Sequence, residues 1–132
     1  MAEPVKFNIE TYQGDRYELF FRIREREWDQ ELNDGEGDWV LGDYIDLSGH
    51  TPSGKIKLNR EQETPITATF DCHITNQVTI KGGVIAVLLP VQSKLLTEKK
   101  YVYDIQTKID AEHINTWLTG NVKNTAQVDD SE

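Results

Sequence analysis

Between Lys100 and Lys123 the side chains alternate with a period of two. Tyr101, Tyr103, Ile105, Thr107 and Ile109 share one face of an extended segment, and Val102, Asp104, Gln106 and Lys108 share the other. Asp110-Ala111-Glu112 supplies a polar reversal, after which Ile114, Thr116, Leu118, Gly120 and Val122 resume the apolar face. Two strands of matched length around a short loop predict an antiparallel hairpin. A hairpin alone is marginal in water, so the rest of the chain must supply a sheet to cover it. The second strand's other face carries Asn115, Trp117, Thr119 and Asn121, which places Trp117 pointing away from the core.

Upstream the same period recurs in shorter pieces. Phe7 to Tyr12 reads as a first strand, and Gln13-Gly14-Asp15 as a turn. Tyr17, Leu19, Phe21 and Ile23 then alternate with Glu18, Phe20, Arg22 and Arg24. Phe20 interrupts that polar face and is a candidate contact residue. The segment Arg24 to Asp43 reads as two strand ends joined by a long acidic loop at Asn33 to Gly37, flanked by Trp28 and Trp39. Tyr44 to Gly49 is expected as a short strand, His50 to Gly54 as a turn-rich link, and Lys55 to Leu58 as a strand exposing two lysines.

Thr67 to Ile74 alternates, with Ala68, Phe70, Cys72 and Ile74 or their complements facing inward. Val78 and Ile80 begin another short strand, closed by Gly82-Gly83. Val84 to Leu89 is a continuous apolar run, the pattern of a strand covered on both faces, and Pro90 ends it. Leu95 and Leu96 lie in a single helical turn. The layout predicts an all-β fold, an antiparallel sandwich of about seven to nine strands with one short helical turn before the closing hairpin. Residues 1–123 form a single domain in this reading, and 124–132 a flexible acidic tail.

The balance of 14 Lys and Arg against 23 Asp and Glu gives a net charge of −9. That argues against nucleic acid, which needs a basic face for its phosphates, and against anionic membrane. The single cysteine, Cys72, allows no internal disulfide and is expected as a small buried thiol. A signal pattern is lacking and the longest apolar run has the length of a strand, which points to a reducing, cytoplasm-like compartment.

Catalytic patterns are missing. His50, His73 and His113 lie far apart, without a Cys or carboxylate at zinc-ligand spacing. The carboxylates around Asn33 do not place Gly at the sixth position of a twelve-residue calcium loop. No Gly-x-Ser-x-Gly elbow is present, and Gly82-Gly83 precedes a strand rather than a helix. The reading is therefore no enzyme, no cofactor and no metal, with Phe20, Trp28, Trp39 and Trp117 as candidate protein-contact residues.

The order of motifs carries a resemblance. A charged early strand leads to Asp46-Leu-Ser-Gly-His-Thr51 and a lysine-bearing strand. The Gly82-Gly83 turn, the apolar strand and the helical turn follow, then Tyr101-Val-Tyr-Asp-Ile105 and a strand ending Leu118-Thr-Gly-Asn-Val122. This resembles the immunoglobulin-like β-sandwich of tailed-bacteriophage virion proteins, and is similar to the N-terminal domain of the phage baseplate upper protein family. The resemblance implies a virion structural protein of baseplate, tail or capsid decoration, assembled in the host cytoplasm. Its partners would be other virion proteins and copies of itself in a homo-oligomer. This sequence departs from the pattern in a longer loop at Glu25 to Asp43 and in a chain that stops soon after the sandwich, and the second departure points to a stand-alone decorating or connector subunit rather than a baseplate one. The second reading is a carbohydrate- or receptor-binding module of a phage appendage, built on the three tryptophans.

Overall fold

A computed structural model describes residues 4–126, with only the backbone of residues 26 and 27. The described chain is all-β. In order it forms β1 (Val5–Lys6), β2 (Ile9–Tyr12), β3 (Tyr17–Arg22), β4 (Arg24–Asp29), β5 (Asp38–Tyr44), β6 (Thr51–Lys57), β7 (Ile66–Ile74) and β8 (Gly83–Leu88). A single turn of helix, α1 (Pro90–Ser93), then leads to β9 (Lys100–Lys108) and β10 (Ile114–Thr125). Eight strands join in the order β1-β10-β9-β6-β7-β8-β3, with β2 also on β10, while β4 and β5 form a separate ribbon.

The expectation of a purely antiparallel arrangement is corrected at one edge. β1 and β2 run parallel to β10, Val5 opposite Leu118 and Ile9 opposite Val122. Between these two short pairings the chain passes directly over Gly120. A Cβ built there would lie 2.1 Å from the Phe7 carbonyl oxygen, and the Tyr103 hydroxyl donates to that same oxygen.

The large sheet curls, and β7 lies at the bend. Its first half pairs with β6 (Phe70 opposite Gly54), and its second half with β8 (Ile74 opposite Val84). One core fills the space between, built from Leu19, Ile56, Phe70, Val84, Leu88, Tyr103, Ile105, Leu118 and Val122 among others. In β8, Val84, Ala86 and Leu88 enter the core while Ile85 lies on the outer face opposite half-exposed Phe20, so the run is central in the sheet rather than covered on both faces as expected. Leu96, just after α1, packs into the same core with 0% exposure. Asn124 ties that turn down: its Nδ2 donates to the Leu96 and Glu98 carbonyls, and its Oδ1 accepts from the Thr11 hydroxyl. β10 thus runs to Thr125, past the boundary at 123 that the loss of periodicity suggests. Residues 127–132 of the expected tail lie outside the described residues.

Three local expectations are replaced. Thr51–Gly54 is the start of β6 rather than a link. At Pro52 β6 pairs only with β9, an edge-like position of the kind where a proline is tolerated in a sheet. Val78 and Ile80 lie in a loop rather than a strand, with Asn76 accepting from the N–H of Val78 and Val78 93% exposed. The third concerns Trp117. A bulge between Thr116 and Leu118 shifts the register of β10 against β9. The extra residue turns Trp117 toward the core, where its Nε1 donates to the buried Thr107 hydroxyl at 2.8 Å.

Candidate functional site

The separate ribbon leaves the body where β3 ends and β6 begins. Its base is tied by backbone bonds, Ile23 N–H to the Gly82 carbonyl and Ile45 N–H to the Ile23 carbonyl. The Arg22 guanidinium sits 3.6 Å over the Tyr44 ring, a cation–π contact, and Arg24 donates to the Gly42 carbonyl. Below it the Gln77 side-chain oxygen accepts from the N–H groups of Leu47 and Gly82. The ribbon is therefore clamped at its root.

Two-stranded ribbons are marginal unless side chains cross between the strands. Trp28 and Trp39 face each other directly in the register and meet edge-to-face, ring centroids 5.4 Å apart at 76°. Such a pair contributes about 0.5–1.5 kcal/mol beyond area burial. The tip is held by polar contacts. Gln30 accepts from Trp28 Nε1 and donates to the Gly35 carbonyl, and the Asp29 carboxylate accepts from the Glu31 N–H. Asn33, Asp34, Gly35 and Gly37 all take positive φ, which is why the tip is built from Asn, Asp and Gly. Gly37 has a second reason. A Cβ there would fall 2.3 Å from the Trp28 ring, so the indole lies flat against bare backbone.

Alternation gives the ribbon two unlike faces. Trp28, Trp39 and Leu41 share one, with 50%, 52% and 64% of their surface exposed. Asp29 and Asp38 face each other on the opposite one. Like charges so placed repel. Each carboxylate accepts a backbone N–H in partial compensation, from Glu31 and from Trp39 respectively. Among the described residues, no three His, Cys, Asp or Glu side chains come together as metal ligands.

The four contact candidates thus separate. Trp28 and Trp39 form one unit on the ribbon. Phe20 lies apart on the outer face of β3, opposite Ile85 of β8 and half-exposed. Trp117 is half-buried beside Thr107, whose hydroxyl also contacts His50 Nδ1 at 3.1 Å. Leu41 is the exposed residue that sequence reading passes over. Its signal is the two-residue spacing from Trp39.

The remaining polar groups act locally. Asp110 is held below the usual carboxylate range by a hydrogen bond from His113 and by the Glu112 and His113 N–H groups. Ser48 does the same for Asp46. Burial, with a smaller push from Asp71, raises the Cys72 thiol to about 12, and burial raises the Tyr103 phenol. No protein-family model matches the chain, and the curated proteins hold no match to it.

Proposed function

We propose that the chain is a bacteriophage virion structural protein, a non-enzymatic β-sandwich subunit that assembles through protein–protein contacts. The finer fold reading is immunoglobulin-like. Strand order supports it: β3-β8-β7 fall in the places of strands B, E and D, and β6-β9-β10 in those of C, F and G. Tyr101 supports it too. It sits near the start of β9, and its hydroxyl accepts from the Glu98 N–H at 2.8 Å, as the tyrosine corner of an F strand does. In this alignment the ribbon is an enlarged B–C connection, at the end where variable domains carry their binding loops.

The observation that carries the assembly role is the Trp28–Trp39 pair, held rigid on a clamped ribbon while half its surface stays in water. Aromatic anchors of this kind supply a large share of interface energy. Mass spectrometry of purified particles tests the virion role: the chain is expected among the particle proteins, and its absence there refutes the reading.

The same pair favours a second reading, a carbohydrate- or receptor-binding module, because a half-exposed indole face also suits a sugar ring. That reading expects saturable glycan or host-cell binding by the purified protein, abolished by Trp39→Ala. Failure to bind any glycan or cell surface removes it.

A further inference from the structure

The charge of the chain is divided between its two ends. The segment from Arg24 to Asp43, which is the ribbon, holds eight Asp and Glu against two Arg. Half of the chain's 14 basic residues line three adjoining depressions on the outer face of β2, β10, β9 and β6. Lys99, Lys100 and Lys123 border the first, of about 840 Å³. Lys55, Lys57 and Arg60 border the second, of about 410 Å³, and Lys6 the third, of about 530 Å³. Among the described residues, Glu10 and Asp104 share the lining of these three, and Glu98 lines a neighbouring depression with Lys99 and Lys100. Glu10 flanks Lys123, and Asp104 is paired with Arg60 at 3.1 Å.

Lys100 and Lys123 stand directly opposite each other across β9 and β10. They mirror, with the other sign, the facing Asp29 and Asp38 of the ribbon. Each like-charged pair costs stability when solvated alone and is relieved by an opposite charge. The apolar parts match as well. Half-exposed Leu58 lies beside the lysines, and half-exposed Trp39 and Leu41 lie on the ribbon face opposite Asp29 and Asp38, at the same end of the molecule.

The strand directions keep these two patches apart within one molecule. β9 starts at Lys100 and finishes at Lys108 next to Thr51, the end from which the ribbon projects. At about 3.4 Å per residue, β9 separates them by roughly 27 Å. The ribbon therefore cannot reach the lysine depression of its own molecule.

We infer that the acidic tryptophan ribbon of one copy docks on the Lys100–Lys123 depression of a second copy. The contact joins two different patches, so it extends into a ring or is returned in a reciprocal dimer. It deepens the structural-subunit reading, resting on that reading only for where the assembly takes place.

Light scattering on the purified full-length chain tests it. At low salt the mass is expected above that of one chain and to fall as salt is raised. The screening length drops from roughly 30 Å at about 0.01 M to roughly 3 Å at about 1 M. Lys100→Glu/Lys123→Glu and Glu31→Lys/Glu36→Lys should each weaken self-association roughly tenfold or more. Equimolar mixing of the two variants should restore association, because each then carries the complement of the other. The wild-type salt series probes the contact without any substitution, should a variant fold poorly.

A single-chain mass at all concentrations and at low salt overturns the inference, as does association that ignores both reversals. Heparin binding to the lysine depression by a chain that never self-associates would assign the depression to an external polyanion instead. A chain that self-associates but is absent from particles sinks the virion reading alone. One found in particles but always monomeric when purified sinks this inference alone.

Discussion

The α-carbon of Gly120 faces the carbonyl oxygen of Phe7 so closely that no side chain fits between them. The parallel edge formed by β1 and β2 depends on that approach, because Phe7 N–H donates to the Thr119 carbonyl and the Tyr103 hydroxyl to Phe7. Gly120→Ala should therefore destabilise the fold by about 1–3 kcal/mol. Urea unfolding checks the magnitude, and limited proteolysis should find new cleavage before Tyr12. Unchanged stability would mean that the edge can move aside at little cost.

Gly37→Ala acts on the ribbon alone. The added methyl collides with the Trp28 ring and also strains a positive φ. The near-ultraviolet circular dichroism of the Trp28–Trp39 pair should be lost. The main melting transition should stay within a few degrees of wild type, because the ribbon strands pair with each other and not with the large sheet. Retention of the aromatic signal would contradict this account of the packing.

Asp110 gives a dependence on pH. Its hydrogen bonds from His113 and from two backbone N–H groups depress its folded value below the ordinary 3.8. A depressed carboxylate stabilises the fold fully above its unfolded value, and the contribution disappears as pH falls through the folded value. Asp110→Asn should thus lower the urea midpoint near pH 7 and converge with wild type once pH has fallen through the depressed folded value. A gap that persists at low pH would refute the assignment.

Cys72 should resist alkylation in the native state. Burial and Asp71 raise its thiol to about 12, so little thiolate exists near pH 8. Reaction with a thiol reagent should be slow in buffer and fast in denaturant. Equal rates would mean the site is open.

The parts legible in the sequence are those fixed by side-chain period. Tyr101, Tyr103, Ile105 and Thr107 sit on the buried face as alternation requires, whereas the unbroken run in β8 sends Val84, Ala86 and Leu88 into the core and Ile85 to the outer face. The Asn-Asp-Gly content of the ribbon tip marks a turn, and the chain does turn there, through a run of positive φ angles. Trp117 was misplaced because one bulged residue inverts the face of everything before it in β10, and nothing in Thr116-Trp117-Leu118 marks the bulge. The parallel pairing of Ile9 with Val122 was hidden for another reason. It joins segments 113 residues apart, and local pattern carries no record of a partner's direction. In the candidate site, the tryptophans were visible as residue types beside a turn. Their mutual contact required the register of Trp28 on Trp39.

β7 hydrogen-bonds through its first half to β6 and through its second half to β8. Neither side of the curled sheet can melt and leave the other whole, since loss of either strips half the ladder from the strand they share. The body should open in a single all-or-none event, with the amides of β7 among the last to exchange with solvent. From β3 round to β10 the strands of the large sheet form one unbroken ladder of backbone hydrogen bonds, so a pull applied at one edge is shared along the whole sheet.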